Sequence, residues 1–311
     1  MMTAKVQSKA QNIVQSSECL YEPLEDHLGY QLRRAAVLLQ ADLTETMRDL
    51  QLIPTAAAIM LVLAKNKDII QIELSRILGL QRTNVSPLII NLEKRGLLSR
   101  SSHDGRSQYL QLTEQGLEQI ANIQTRLAQH TERCFSQLSE SAMSNLAEAM
   151  GSALQNLDQQ AAGSGTAGIN DQVSYQILRT SSLAMNKLVK SLAPLELIPS
   201  NASAMLMIAS NPGIIQSDLG RRLGIKRANI STIISDFKER GFIDVQSKGR
   251  AHLLFLNEKG QALVPEIKQT MDRHEQICFS QFDKMKTEAT IAALKSIRQQ
   301  LKKHKQKVQA L

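Results

Sequence analysis

Apolar residues recur along this chain with a helical period in a block that occurs twice. In the first block, Val85, Leu88, Ile89 and Leu92 fall at positions i, i+3, i+4 and i+7. That spacing places four side chains on one face of an α-helix, which must then be buried. The second block repeats the spacing 145 residues later, with Ile230, Ile233, Ile234 and Phe237.

The repeated block is longer than one helix. Arg76–Leu98 and Arg221–Ile243 align without gaps, and the differences keep the same chemistry at most apolar positions. Each copy predicts a short helix, a tight turn at Gly79 or Gly224, and a second helix with polar residues at its start. This order is typical of a helix-turn-helix motif, which presents the start of its second helix to the DNA major groove.

The polar start of each second helix supplies the candidate DNA-binding residues. We expect Arg82 and Arg227 to read bases, and the two serines to contact phosphates. The two asparagines either read adenine or bond locally to the backbone. The full set is Gln81, Arg82, Thr83, Asn84, Ser86 and Pro87 in the first copy, and Lys226, Arg227, Asn229, Ser231 and Thr232 in the second.

The pattern around each motif predicts a complete winged unit. A helix over about 26–50 and a compact apolar helix from Thr55 precede the first motif, and two short strands separated by a polar turn follow it. Thr113 and Asn257 are predicted N-caps of the long helices that come next. We expect those helices to break near Ser139 in the first copy and near Lys286 or Thr287 in the second.

These elements predict the domain organisation. Residues 1–24 form a disordered arm, 25–156 the first unit, 157–170 a flexible Gly/Ser/Ala linker and 171–311 the second unit. The helix-turn-helix segments span about 71–95 and 216–240, and the wings about 97–112 and 242–256. The predicted fold class is mainly α with small β wings.

The amino-acid composition restricts the kinds of partner and activity that this chain can have. The formal charge of +8 and the pI near 9.4 favour a polyanionic partner, and the scarcity of aromatic residues favours duplex over single-stranded nucleic acid. The chain start lacks the apolar core of a signal peptide, and no apolar run is long enough to cross a membrane, so we expect a cytoplasmic protein. Neither a phosphate-binding glycine loop nor a nucleophile elbow is present, so we predict no enzyme activity and no cofactor.

The order of elements, and above all the first wing, resembles the MarR family of winged-helix regulators. The family wing carries Asp-x-Arg and then a strand ending in Leu-Thr-Glu-x-Gly, which this chain shows as Asp104, Gly105, Arg106 and LTEQG from Leu112. The second wing keeps Arg250 but has Lys248 in place of the aspartate. The resemblance implies that Arg106 and Arg250 contact the minor groove or phosphates. Asp104 can orient Arg106 by a charge-assisted bond, and Lys248 cannot do the same for Arg250.

Members of this family are typically homodimers whose first and last helices interlock. The resemblance therefore implies that two tandem units form a pseudo-twofold dimer within one monomeric chain, which binds double-stranded DNA as a sequence-specific regulator, usually a repressor. It also implies a small aromatic or phenolic effector that releases the DNA. The alternative is a protein-interaction adaptor or antirepressor with weak or no DNA binding, which the altered second wing keeps open.

A second duplicated feature lies outside the DNA-binding candidates. His130 and Cys134 are four residues apart on a predicted helix, and His274 and Cys278 repeat that spacing, so each pair shares a helix face. Four such groups meeting at a pseudo-twofold axis could bind zinc or sense oxidants. We interpret them as helix-packing residues and predict no metal, with the zinc or redox site as the alternative.

Overall fold

The computed structural model of the chain describes residues 23–66, 68–102, 108–158, 173–249 and 251–309. Several of the sequence predictions fall outside these ranges. They are the arm up to residue 22, the linker from residue 159, and the wing residues Asp104, Arg106 and Arg250.

The first copy folds as a winged helix-turn-helix between longer helices. Its elements are α1 (Leu28–Thr46), α2 (Pro54–Lys65), β1 (Ile69–Ile70), α3 (Gln71–Leu78), α4 (Arg82–Lys94), β2 (Leu98–Ser101), β3 (Tyr109–Leu112), α5 (Glu114–Phe135) and α6 (Glu140–Leu157). A short 3-10 helix, Arg48–Leu50, follows α1. The α-helical part of the predicted first helix therefore ends about one turn early, at Thr46, and Gln51 in a left-handed conformation (φ 52°) ends the 3-10 turn that follows.

The second copy repeats the order element by element. Its elements are α7 (Val173–Leu192), α8 (Pro199–Ser210), β4 (Ile214–Ile215), α9 (Gln216–Leu223), α10 (Arg227–Glu239), β5 (Ile243–Lys248), β6 (Ala251–Leu256), α11 (Glu258–Phe279) and α12 (Lys284–Gln309). The predicted fold class, mainly α with small β wings in two tandem winged units, is confirmed.

Each unit holds a three-stranded antiparallel sheet, one strand more than the sequence pattern predicted. The orders are β1-β3-β2 and β4-β6-β5, so the wing strand β3 or β6 lies in the middle. The extra strands pair Ile69 with Leu110 and Ile214 with Leu254. A two-residue strand is too short to show an alternating pattern of its own, which is why periodicity missed it.

Local capping agrees with the sequence at the helices that follow the wings and at the two motif turns. The Thr113 hydroxyl accepts the Gly116 N–H at 3.0 Å, and the Asn257 side chain accepts the Gly260 N–H at 3.0 Å, as predicted. Gly79 and Gly224 have positive φ values of 62° and 68°, a conformation that suits glycine at the turn of the motif.

One predicted helix break is misplaced. The first long helix breaks just before Ser139, as expected, but the second breaks between Phe279 and Lys284, before the predicted Lys286 or Thr287. The Asp283 carboxylate accepts the Lys286 N–H at 2.7 Å and so caps α12. Asp283 matches Ser139 at the offset of 144 residues that the later helices keep, so capping chemistry marks the same place in both copies.

The chain divides into two compact units, and each takes in residues from both copies. One comprises Gln31–Ala184 with Cys278–Leu311, and its core includes Tyr175 and Leu178 of the second copy packed beside the first motif. In this unit, α12 packs against α6 and α5. The other unit comprises Met185–Ile277 with the described residues up to Tyr30, and its core includes Leu24 and Tyr30 of the first copy.

None of the described helices is by itself long and apolar enough to cross a bilayer. One bent pair, residues 173–195 with 199–210, meets the length and composition criteria jointly.

Candidate nucleic-acid interface

The start of each recognition helix leaves its polar side chains exposed. In the first copy Gln81, Arg82, Thr83 and Asn84 are all exposed, and in the second Lys226, Arg227, Ala228 and Asn229 are exposed in the same way. Behind them, Val85, Ile89 and Leu92 of α4 and Ile230, Ile233, Ile234 and Phe237 of α10 are buried. The buried face holds each helix in place and directs its N-terminal turn outwards.

The two recognition arginines are available for an external partner. Neither Arg82 nor Arg227 forms an ion pair or side-chain hydrogen bond with any residue that the structure describes. A helix N-terminus adds partial positive charge and unpaired backbone N–H groups at the same place. An anion such as a DNA phosphate is therefore favoured here.

The asparagines do not cap these helices. The N-cap positions are Gln81 and Lys226, both in extended conformation and neither with a side-chain cap bond. Within the described part of the chain, the Asn84 and Asn229 side chains have no hydrogen-bond partner. The local-bonding alternative is thus not supported by the fold, and adenine reading stays a prediction.

The two predicted phosphate-contacting serines are already engaged within the protein. Gln71 Nε2 donates to Ser86 Oγ at 2.5 Å, and that hydroxyl donates to the Arg82 carbonyl at 2.9 Å. Gln216, Ser231 and Arg227 repeat the arrangement at 3.1 Å and 3.0 Å. Each serine therefore ties the first helix of the motif to the recognition helix, and a phosphate would have to replace its bond to the carbonyl.

Sequence reasoning missed the two glutamines of this link. The signal was present, because Gln71 and Gln216 are identical residues at matched positions in the two copies. Each stands at the first position of the first motif helix. From there its amide reaches the serine one turn into the recognition helix.

A second pair of links, also missed, fixes the far end of each recognition helix. Arg95 donates to the carbonyl oxygens of Gln51 at 2.7 Å and Leu50 at 3.1 Å. Arg240 donates to the Glu196 carbonyl at 2.8 Å. Both acceptors at Gln51 and Glu196 lie in left-handed turns with φ of 52° and 53°. Because hydrogen bonds fix both of its ends, each recognition helix has a defined orientation relative to the core of its own winged unit.

The recognition helices differ inside their second turn. Pro87 lies within α4 and is exposed, whereas the matched Thr232 of α10 donates its hydroxyl to the Ala228 carbonyl at 3.2 Å. Proline has no N–H to offer to the carbonyl four residues earlier. The surfaces that the two helices offer are therefore unequal in shape as well as in charge.

The base of each wing is well defined. In the first wing Leu98 pairs with Leu112 and Ser101 with Tyr109, and Arg100 forms an ion pair with Glu93 of the recognition helix at 2.7 Å. In the second, six residue pairs run from Ile243–Leu256 to Lys248–Ala251. The wing arginines and Asp104 are outside the described residues, so their predicted DNA contacts stay predictions.

Two side chains of α7, the first helix of the second copy, contact the turn of the first motif at Gly79. Arg179 forms a buried ion pair with Asp158, and its guanidinium lies over Gly79, where a Cβ would be 1.7 Å from Nη1. The Tyr175 hydroxyl donates to the Ile77 carbonyl at 3.5 Å, and burial raises the pKa of that hydroxyl. Gly79 is thus favoured by its backbone conformation, and a side chain there would also displace the Arg179 guanidinium.

The first of the two His/Cys pairs belongs to a buried polar cluster. His130 Nδ1 lies 2.7 Å from Asp42 Oδ2, and its Nε2 lies 2.9 Å from Ser174 Oγ. Arg133 also donates to Asp42, at 3.1 Å. Burial raises the pKa of Asp42, but the bonds from His130 and Arg133 outweigh it and lower that pKa to about 2. Cys134 is 3.5 Å from His130 Nδ1, and burial, reinforced by Asp42, raises the pKa of its thiol well above the usual range.

The second pair has different surroundings. Lys187 stands at the position that matches Asp42, and burial together with this lysine lowers the pKa of His274 to about 4. The neighbouring Glu275 accepts the backbone N–H groups of Leu28 at 2.5 Å and Gly29 at 3.1 Å. Burial raises the pKa of the Glu275 carboxyl despite these bonds. The two His/Cys pairs therefore differ in the charged residue that lies beside the histidine.

The comparison with solved structures gives relatives that match about one unit of the chain. A MarR-family transcriptional regulator from Rhodococcus sp. RHA1 is 19% identical, with a TM-score of 0.39, over 42% of this chain and 96% of that one. A MarR regulator from Methanosarcina mazei Go1 is 23% identical, with a TM-score of 0.34, over 37% and 78%. The repressor CouR of Rhodococcus jostii RHA1, bound to a 23-mer DNA duplex, is 24% identical, with a TM-score of 0.40, over 42% and 95%. Comparison with curated protein sequences gives no match.

The family comparison matches the two copies separately. The model of the MarR family covers residues 50–107 and again 195–251. Each matched region begins before the apolar helix of its lobe and runs through the helix-turn-helix into the wing. The chain therefore carries two MarR-family winged helix-turn-helix units in tandem.

Proposed function

We propose that this chain is a sequence-specific regulator of transcription that binds double-stranded DNA, acting as a repressor. The observation that carries the proposal is the exposure of Arg82 and Arg227 at the N-termini of two recognition helices, where neither side chain pairs with a residue that the structure describes. Both helices are tied at each end to their own lobes, so these arginines are presented by rigid supports. Rigid presentation lowers the entropic cost of binding.

The single chain acts as a fused dimer in this proposal. Support comes from the start of each first helix, since Tyr175 packs beside the first motif and Tyr30 beside the second. Packing of α12 of the second copy against α6 of the first adds to it. Fusion makes the pairing of the two copies independent of protein concentration.

The two heads would read unlike half-sites. Gln81, Thr83 and Pro87 are matched by Lys226, Ala228 and Thr232, so the side chains offered to the major groove differ. A homodimer reads an inverted repeat because its two surfaces are identical. This chain is expected to prefer a pseudo-palindromic or asymmetric operator, which selection from a pool of random duplexes would reveal.

Removal of one recognition arginine tests the DNA-binding assignment. Arg82→Ala and Arg227→Ala should each weaken binding to the selected duplex by about 1–3 kcal/mol, or about 5- to 150-fold, and relax the preference in a different half-site. Fluorescence anisotropy at fixed salt measures the affinity. Arg48→Ala is the matched control, because Arg48 is exposed and pairs with Glu45 on the turn after the first helix.

The salt dependence separates this function from the alternative. A regulator that neutralises several phosphates loses affinity steeply as salt rises, because bound counterions are released. An adaptor or antirepressor, which the Lys248 substitution in the second wing favours, would bind no duplex with such a slope. Unchanged affinity in both arginine variants would also contradict the proposal.

Family resemblance extends the proposal to an effector. A small aromatic or phenolic acid is expected to weaken operator binding when it binds the regulator. Adding a series of aromatic carboxylic acids to the anisotropy assay tests this extension independently of the DNA-binding assignment.

A further inference from the structure

We propose that Asp42, His130 and Cys134 form a binding site for one divalent metal ion of the zinc type. Their potential ligand atoms, a carboxylate oxygen, an imidazole nitrogen and a sulfur, all lie within 4.8 Å of one another. Nitrogen, sulfur and oxygen together form a donor set that Zn²⁺ accepts in tetrahedral geometry. The site is separate from the proposed DNA interface, and its test needs no DNA.

The spacing of the three atoms is close to that of a tetrahedral zinc site. Standard bond lengths place nitrogen and sulfur, or oxygen and sulfur, about 3.6 Å apart around tetrahedral zinc. The observed separations are 3.5 Å between Cys134 Sγ and His130 Nδ1, and 3.8 Å between Sγ and Asp42 Oδ2. Only the 2.7 Å between Nδ1 and Oδ2 must widen, by about 0.7 Å, to let an ion replace the shared proton.

The surroundings supply the supporting bonds that metal ligands require. His130 Nε2 lies 2.9 Å from Ser174 Oγ, so a histidine that binds metal through Nδ1 can donate its remaining N–H to this hydroxyl. Arg133 donates to the carboxylate of Asp42 from 3.1 Å and holds it in position. Ligand orientation is therefore set before an ion arrives.

Charge balance favours a doubly charged ion. On binding, the Cys134 thiol releases one proton to solvent, and the proton between His130 and Asp42 moves to Nε2. The thiolate and the carboxylate then neutralise the two positive charges of the ion. The ion and its two anionic ligands are then neutral together, and Arg133, whose side chain is 28% exposed, keeps its own charge at the edge of the cluster. This arrangement costs less to bury than an isolated divalent charge, and both His130 and Cys134 are almost completely buried. Water completes the fourth position, as in zinc sites with three protein ligands.

The site is expected once per chain although the His/Cys pair occurs twice. Lys187 occupies the place of Asp42 in the second copy, so the second His/Cys pair lacks the carboxylate ligand. The bound ion would join α1 to α5 and, through Ser174, to the start of α7. It would thereby fasten the start of the second copy's first helix to the core around the first motif.

Titration of the metal-free full chain with Co²⁺, followed by competition with Zn²⁺, tests the proposal. A cobalt–thiolate charge-transfer absorption should appear and saturate at one ion per chain. Cys134→Ser should abolish this absorption, and Ser174→Ala should weaken Zn²⁺ binding by about 10- to 100-fold. Circular dichroism confirms that each variant is folded.

Cys278→Ser is the matched control, since Cys278 is the buried partner cysteine of the second copy. It should keep the absorption and the stoichiometry of the parent. The proposal is overturned if the parent shows no saturable absorption, if two ions bind per chain, or if Cys278→Ser loses the signal while Cys134→Ser keeps it.

Discussion

Some matched positions of the two copies carry side chains of different charge. At one matched pair of positions, Asp42 accepts a hydrogen bond from one histidine, whereas Lys187 places a positive charge beside the other. His130 is bonded at both nitrogens, whereas the pKa of His274 is lowered to about 4 by burial and by Lys187. A buried histidine held neutral in this way makes folding sensitive to acid.

Stability should therefore fall as the pH drops from about 6.5 to about 4. In that interval the unfolded chain protonates His274 and the folded chain does not, so the free energy of unfolding decreases as protons are added. The expected loss is up to about 3 kcal/mol by pH 4. Urea denaturation at a series of pH values measures it.

His274→Gln should remove this part of the pH dependence, and comparison with the parent cancels the contribution of Glu275, whose raised pKa acts in the opposite direction. His252→Gln is the control, because His252 is exposed. Parallel pH profiles for the parent and His274→Gln would show that the assigned cause is wrong.

The two recognition helices have the same length and matched bounds, but only one of them contains a proline. Both have 13 residues, and each is tied to its lobe by a glutamine–serine link and by an arginine at its end. Only α4 contains a proline, at its sixth position. An interior proline removes one helical hydrogen bond and crowds the carbonyl four residues earlier. The first recognition helix should consequently be the less stable of the two.

Exchanging these residues between the copies tests the difference. Pro87→Thr should raise the free energy of unfolding by about 1–3 kcal/mol, because the missing N–H is restored at an exposed position. Thr232→Pro in α10 should lower it by a similar amount. Urea denaturation of both variants gives the values, and amide exchange locates the effect within each helix. A loss of stability in Pro87→Thr would mean that the proline relieves strain that the fold otherwise imposes.

At the scale of the whole molecule, neither copy completes its own core. The unit around the first motif partly buries Tyr175 and Leu178 from the second copy, and the other unit buries Leu24 and Tyr30 from the first. In addition, α6 buries Leu146, Met150 and Ala153 in the unit where α12 packs against it. Separating the copies would expose these apolar side chains to water, which is unfavourable in proportion to the area exposed.

The two copies produced as separate chains, residues 1–158 and 173–311, should depend on one another for folding. Mixed in equal amounts, they should show a thermal midpoint that rises with protein concentration, because their association is bimolecular. The midpoint of the intact chain should not change with concentration. Differential scanning calorimetry over a hundredfold dilution makes the comparison, and each half alone serves as the control. Stable, monomeric folding of the first half by itself would contradict this prediction.

Local features of this protein were determined by residues close together in the chain. The helical period of the recognition segments, the glycine turns and the capping by Thr113 and Asn257 each depend on a few neighbouring positions. Duplication strengthened these predictions, because two copies showed the same order of elements. The recognition-helix arginines could be selected for the same reason, since an apolar face on one side of a helix leaves the other side exposed.

Features that join distant residues were decided only by the tertiary structure. Asp42 reaches His130 across 88 positions, Arg179 reaches the turn at Gly79, and the two-residue strands exist only because Leu110 and Leu254 pair with them. A side chain shows its own chemistry in the sequence but not its partner, which depends on how the helices pack. Packing brought an aspartate to one His/Cys pair and a lysine to the other, and so separated two sites that the sequence presented as equal.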